Sequence, residues 1–226
     1  PASYDDAAQA KFASDPEVRE VIDRSLGRFG VRMLGVINSS GDVGMFMRDP
    51  IESVADLNGR KIRGAGGLSD EALRAMGASI VFMSAAEQFL ALQTGTVDGI
   101  ATTWSSYVNN NLATVAPVHV DANLVRSPYL LIMNGRKWQA LDAEQQKAVE
   151  QAVAETITWS TENFKAEQDK LYAEIKKLAK VSQDLSAEDR ARIDELMKPI
   201  YQGYVDAHGE DGAKLMELWK RYAGVS

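Results

Sequence analysis

At 226 residues, 45% of them hydrophobic and 25% charged, the chain has enough apolar material for one large core or two small ones, which excludes disordered and fibrous classes. A formal charge of −7, with basic residues scattered along the chain, speaks against nucleic acid and anionic membranes as partners. The absence of cysteine removes disulfides, thiolate metal sites and cysteine nucleophiles together. No run approaches the roughly 18 apolar residues that span a bilayer, and Pro1-Ala2-Ser3 is not a charged leader ahead of an apolar stretch.

In chain order, residues 5–30 read as helical, with Val18, Val21, Ile22 and Leu26 at helical spacing and Gly27 and Gly30 closing the pattern. Val31–Ile37 reads as a strand. Strand and helix then alternate. Lys61–Arg63 is a short strand, Gly64–Gly67 a flexible turn, and Ser69 a cap for a helix reaching Gly77. Ile80-Val81-Phe82 is the next strand. Ser84 and Glu87 stand at capping-box spacing ahead of a helix ending near Gly95. Val97–Ala101 is a third strand, and Trp104–Leu112 a short helix. Strands joined by single helices predict parallel pairing through right-handed crossovers, hence an α/β lobe.

Residues 118–133 read as extended, ending in the apolar run Tyr129–Met133. From Asp142 to Lys180 there is neither Gly nor Pro, and Val149, Val153, Ile157, Ser160, Phe164, Leu171, Ile175 and Leu178 recur at helical spacing. An unbroken helix of that extent would be about 55 Å long, enough to serve two lobes. Two further helices are expected at 186–203 and 211–222.

Three blocks carry a family resemblance. Ile51-Glu52-Ser53-Val54-Ala55-Asp56-Leu57-Asn58-Gly59-Arg60-Lys61-Ile62-Arg63 resembles the segment P-I-x-S-x-x-D-L-x-G-x-K-I-R of substrate-binding proteins of TRAP-type (tripartite ATP-independent periplasmic) transporters. Met76-Gly77-Ala78-Ser79, Met83 and Ala91-Leu92-Gln93-Thr94-Gly95-Thr96-Val97-Asp98-Gly99 are similar to that family's next block. Tyr129–Asn134, Trp138, Leu141 and the long helix look like its return crossing. The resemblance implies a periplasmic, non-enzymatic protein of α/β class, with a two-lobe periplasmic-binding-protein-like fold and a long lobe-spanning helix. It implies that lobe two is 38–129 and that 1–37 and 130–226 supply the remainder of lobe one with the connecting and C-terminal helices; members of that family usually carry about a hundred further residues ahead of the position of Pro1, the size of a small domain, so the chain reads as a truncated gene, a fragment or a divergent protein. It further implies capture of a small organic acid by hinge closure, delivery to membrane permease subunits, and a monomer without cofactor or metal.

Arg63 is the candidate carboxylate anchor. Guanidinium offers parallel donors where lysine offers a point charge, and the residue ends a strand beside a turn and a helix N-terminus, where such sheets collect ligands. The resemblance points to the same arginine. Gly66, in the glycine turn, lets backbone approach a ligand; without G-x-G-x-x-G it is no nucleotide fingerprint. By resemblance Thr102, Thr103 and Trp104 line the pocket, with hydroxyls for substrate oxygens and an indole as wall and donor. Asn38 and Ser39, after the strand expected to cross between lobes, are further candidates. Asp98 reads as structural.

Two other classes stay open. An enzyme would leave a constellation, yet His119 and His208 are the only histidines, and there is no H-E-x-x-H, G-x-S-x-G or P-loop. A helical interaction module built on 142–180 would need sustained heptads, which Thr156, Thr158, Trp159 and Ser160 interrupt.

Overall fold

The structure is a computed structural model and describes residues 6–38, 42–125 and 128–224. It divides into two compact units, one of residues 1–39, 128–165 and 203–226 (unit 1), the other of 40–127 and 166–202 (unit 2).

Unit 1 opens with α1 (Asp6–Ser14) and α2 (Pro16–Gly27). The expected single helix is broken because Asp15 takes extended backbone and caps α2, accepting the amides of Glu17 at 2.7 Å and Val18 at 3.4 Å, while Pro16 stands where a missing N–H costs nothing. Asp15 also accepts the hydroxyl of Tyr222 at 2.6 Å, so one carboxylate joins the start of α2 to the end of the chain. Strand β1 (Val31–Ile37) lies where the alternation predicts it. It pairs antiparallel with β7 (Tyr129–Asn134) in a two-stranded sheet, and β7 runs straight into the short helix α6 (Gly135–Gln139). Gly35 meets the long helix α7 (Ala143–Leu178) so closely that a Cβ would stand 2.8 Å from Ile157 Cδ1 and 2.9 Å from Val153 Cγ1. Tyr129, Leu130 and Ile132 of β7 are exposed.

Unit 2 is built on a six-stranded mixed sheet of order β4-β3-β5-β2-β6-β8. Its strands are β2 (Val43–Met47), β3 (Lys61–Arg63), β4 (Ser79–Val81), β5 (Gly99–Thr103), β6 (Val118–Val125) and β8 (Val181–Asp184). β3 pairs parallel with β4 and β5, as crossovers through single helices require. β2 enters antiparallel between β5 and β6, and all five of its residues are buried. One face of the sheet holds Met45, Met47, Ile62 and Ala101, packed by Leu73 of α3 (Gly67–Ala75). The other holds Phe46 and Ile100, covered by Leu92 of α4 (Gln88–Thr94), Tyr107 of α5 (Trp104–Asn109) and Ile175 of α7.

β4 starts one residue early, β5 runs two residues later than the expected 97–101, α5 stops at Asn109, and two helix starts differ for local reasons. Ser69 does not cap α3, which starts two residues earlier at Gly67; the Ser69 hydroxyl instead donates to the Gly66 carbonyl at 2.7 Å. Glu87 accepts both the amide and the hydroxyl of Ser84, and that closed turn delays α4 to Gln88.

The structure groups 166–202 with the α/β unit, whereas the sequence reading placed all of 130–226 with 1–37. The physical cause is pairing. β8 extends the sheet parallel to β6, the Gln183 amide exchanges two hydrogen bonds with the backbone of Ile51, and Asp189 accepts the Val54 amide at 2.9 Å. The helix following β8, α8 (Ala187–Ala223), contains Pro199 and is broken by a non-helical Gly209 rather than at Gly203. The buried residues Ser160, Phe164, Leu171 and Ile175 show that the apolar stripe of α7 is used within the chain, which leaves little of the seam an interaction module needs. No helix among the described residues is long and apolar enough to cross a membrane.

Gly99 fixes the tightest point of the sheet. A Cβ there would overlap Met47 Sδ and stand 2.9 Å from the Phe46 carbonyl, which as ladder backbone is unable to yield. Gly99→Ala is expected to cost about 1–3 kcal/mol in denaturant unfolding, as overpacking of a tight core does. Asp15→Ala is expected to cost about 1 kcal/mol as a lost helix cap. The Tyr222 hydroxyl, followed by the cap amides, holds the Asp15 carboxyl below its ordinary range against the opposing effect of burial. Its stabilisation is therefore present above the unfolded value and lost as pH falls through the lowered folded one. The gap between parent and Asp15→Ala should narrow as pH drops below about 4.

Candidate functional site

The C-terminal ends of β3 and β5 and the N-terminal end of β2 meet at one edge of the unit 2 sheet, a consequence of parallel pairing on one side of β5 and antiparallel pairing on the other. Arg63 is in register with Ile100. Thr102, two residues further along β5, points to the same face, because side chains alternate along a strand. Gly44 is the cross-strand partner of Thr102, and a Cβ on it would stand 3.0 Å from Trp104 Nε1. The fold thus brings the guanidinium of Arg63, the hydroxyl of Thr102 and the indole edge of Trp104 to one end of one sheet face.

Arg63 is half-buried and held by two backbone acceptors. Nη1 donates to the Ala101 carbonyl at 3.0 Å and Nε to the Met83 carbonyl at 3.4 Å. These use two of the five N–H groups of a guanidinium, so the plane is oriented while donors remain. Burial lowers the Arg63 pKa from its ordinary value, and Asp70 opposes that shift. Asp70 is itself buried and accepts the Gly66 amide at 2.8 Å. It lies so close to Gly64 that any side chain at 64 would overlap its carboxyl group. The glycine turn therefore makes room for the Asp70 carboxylate next to Gly64, with Gly66 at φ 99° and Gly67 at φ 56° reversing the chain.

The other candidates divide. Thr103 caps α5, its hydroxyl accepting the Ser106 amide at 3.3 Å and lying 3.2 Å from Ser105 Oγ. Thr102 is 4% and Trp104 7% exposed, so both belong to the packed end of the sheet. The Trp104 ring lies 5.3 Å from Tyr172 of α7, yet its buried Nε1–H has no acceptor, which is unusual for an indole in a core. Tyr107 is a packing residue, stacked on Phe46 at 3.8 Å with its hydroxyl on the Ala116 carbonyl. Asp98 is structural, accepting the Lys61 amide at 2.8 Å. Asn38 belongs to unit 1, where its amide donates to Ser160 Oγ at 3.2 Å; Ser39 lies outside the described residues.

Asp70, Gly44 and the Met83 carbonyl were missed in the sequence. Gly44 sits in a strand that shows no alternation, and a backbone acceptor leaves no residue-type signal. Among the described residues no cluster of acidic and histidine side chains could hold a metal ion. A charged depression of about 630 Å³ in unit 1, around Arg24, Arg28, His208, Asp211 and Lys214, is already paired internally: Arg24 and Arg28 with Asp211, and Lys214 with Glu17.

If Trp104 mainly fills space, Trp104→Ala should cost about 3–5 kcal/mol. Trp104→Phe should cost under about 1.5 kcal/mol, since the N–H it removes leaves no acceptor orphaned. Denaturant midpoints of the two variants check this.

A family model described as bacterial extracellular solute-binding protein, family 7 (DctP), matches residues 2–207. The chain is 31% identical over 200 residues to the uncharacterized protein YiiZ of Salmonella typhimurium, covering 85% of this chain and 59% of that protein. It is 26% identical over 197 residues to the C4-dicarboxylate-binding periplasmic protein DctP of Rhodobacter capsulatus, covering 82% and 59%. The chain thus spans under two thirds of the length of these relatives. Among solved structures, the fold is shared with the periplasmic ectoine-binding protein of the TeaABC TRAP transporter of Halomonas elongata (TM-score 0.87, 21% identity, 97% of this chain and 73% of that one). It is also shared with a TRAP periplasmic solute-binding protein from Shewanella oneidensis with bound succinate (TM-score 0.83, 23% identity, 96% and 70%). With most of its length matched by the family model, the chain belongs to family 7 of the bacterial extracellular solute-binding proteins, the DctP family.

Proposed function

We propose that this chain supplies the carboxylate-anchoring part of a solute-binding protein that captures a small organic acid and delivers it to the membrane permease of a TRAP-type transporter. The observation that carries the reading is Arg63: a single oriented guanidinium at the carboxyl end of parallel strands, with donors left after its two backbone bonds. Ligands collect at that end of α/β sheets, and a planar cation with parallel donors suits a carboxylate. Thr102 and the unpartnered indole N–H of Trp104 add neutral donors on the same face. In this reading Thr103 acts through α5 and Gly66 by letting its turn approach the ligand. Binding without covalent chemistry is the activity of the family, and the succinate bound to the Shewanella protein is a carboxylate of the expected kind.

The test is a thermal-shift screen of the chain and Arg63→Ala against sugar acids, keto acids, dicarboxylates and aromatic acids. A ligand present at a hundred times its dissociation constant adds about 2.7 kcal/mol to the folded state. The expected result is a carboxylate that raises the parent's midpoint and leaves Arg63→Ala unmoved. A carboxylate that shifts both proteins equally would remove Arg63 from the site, and a panel that shifts neither would remove binding from this chain.

A further inference from the structure

His119 is fully enclosed in unit 2, at 0% exposure. Its register partners are Phe46 on β2 and Ser182 on β8, so the ring lies on the face that α7 covers. Nδ1 is 3.1 Å from Ser182 Oγ, the Phe46 ring is stacked at 5.3 Å, and Tyr172 of α7 stands edge-on at 6.0 Å. Nε2 is buried and has no hydrogen-bond partner. Two residues along β6, Asp121 accepts the Tyr172 hydroxyl on Oδ2 at 2.8 Å, while Oδ1 is buried and unpartnered. A basic nitrogen lacking a partner and a carboxylate oxygen lacking a donor therefore occupy alternate residues of one strand, beneath the same tyrosine.

We infer that His119, Asp121 and Tyr172 form a proton-operated latch, which fastens the last turns of α7 to the unit 2 sheet while His119 is neutral and loosens them when it is protonated. Protonation places N–H on both ring nitrogens, and the one on Nε2 becomes a charged donor in an apolar sandwich. The acceptor with free capacity is Asp121. The free oxygen is Oδ1, and turning the rigid carboxylate to bring Oδ1 toward the ring swings Oδ2 away from the Tyr172 hydroxyl; Tyr172 is where α7 rests on the Trp104 ring and where Lys176 Nζ sits 4.5 Å above the phenol. A buried ion pair gained at the expense of a buried hydroxyl does not restore the original packing.

Every element packed on the ring contributes. β6 brings Asp121 and β8 brings Asp184, which favour the charged form. α7 brings Lys176, which opposes it, and Tyr172. β2 brings only Phe46, and Arg190 of α8 reaches the Asp121 carbonyl at 3.4 Å. Burial is the largest influence and lowers the His119 pKa below its ordinary 6.5. The same shielding, with Asp121 next, pushes the Tyr172 phenol up to about 12, so it remains a donor throughout. The latch is therefore shut at neutral pH. Because the unfolded or opened chain takes up the proton first, stability of this contact is lost as pH falls below about 6.5 toward the lowered folded value.

Amide hydrogen exchange of residues 166–178 at pH 7.5 and 5.5, corrected for intrinsic rates, tests the latch. The parent segment should lose about tenfold in protection at the lower pH, the limit for one proton taken up on opening one unit below the ordinary histidine value. His119→Phe should keep its protection at both pH values, and Tyr172→Phe should be weakly protected at both. If His119→Phe does not fold, His119→Gln takes its place, and the ring-proton titration of His119 in the parent reads the same event. A variant lacking the imidazole that loses as much protection as the parent overturns the latch. So does a parent whose α7 protection is unchanged while His119 titrates.

Discussion

Strand β2 is the constraint on which unit 2 depends. Its five residues are buried on both faces, and it alone of the central strands runs antiparallel to both neighbours. That placement sets three juxtapositions at once: Gly44 opposite Thr102, Phe46 opposite Ile100, and Phe46 opposite His119. The first clears space for the indole of Trp104, the second builds the core under α4 and α5, and the third seats the buried histidine. A slip of one residue would turn Phe46 out of its core and place Met45 against α7. The bulge in β6 opposite Gly44 takes up the irregularity on one side, so the pairing with β5 on the other side stays regular.

Arg63 shows how a fold orients a cation without a partner carboxylate in direct contact. Two carbonyls hold its plane, and Asp70 offsets part of the cost of burial from a position fixed by the Gly66 amide. The glycines of the turn thus have separate tasks. Gly64 has no side chain because Asp70 lies against it, whereas Gly66 and Gly67 adopt positive φ so that α3 can start immediately after the strand.

Periodicity and punctuation made the parallel half of the sheet legible. Lys61–Arg63 is bounded by glycines, and the helices between strands are single and short. The same reasoning passes over β2, because Val43-Gly44-Met45-Phe46-Met47 is a short run buried on both faces and shows no alternation. It also passes over β8, a four-residue polar strand whose identity comes from pairing with β6 rather than from its own pattern. That strand explains why 166–202 joins the α/β unit. The candidate site was legible in Arg63, whose place at a strand end is a local property. Its supports, Asp70 and two backbone carbonyls, come from other elements and become visible only when the chain is folded.

In unit 1 the consequence of Gly35 reaches beyond this molecule. The strand lies against α7 with Val153 and Ile157 filling the volume where a side chain would be. Position 35 and positions 153 and 157 are therefore not free to drift separately. A chain that acquires alanine or serine at 35 needs a smaller residue on the helix in the same lineage, and a chain that enlarges either helix residue is bound to glycine on the strand. Substitution at these three places is a joint event, imposed by one shared volume.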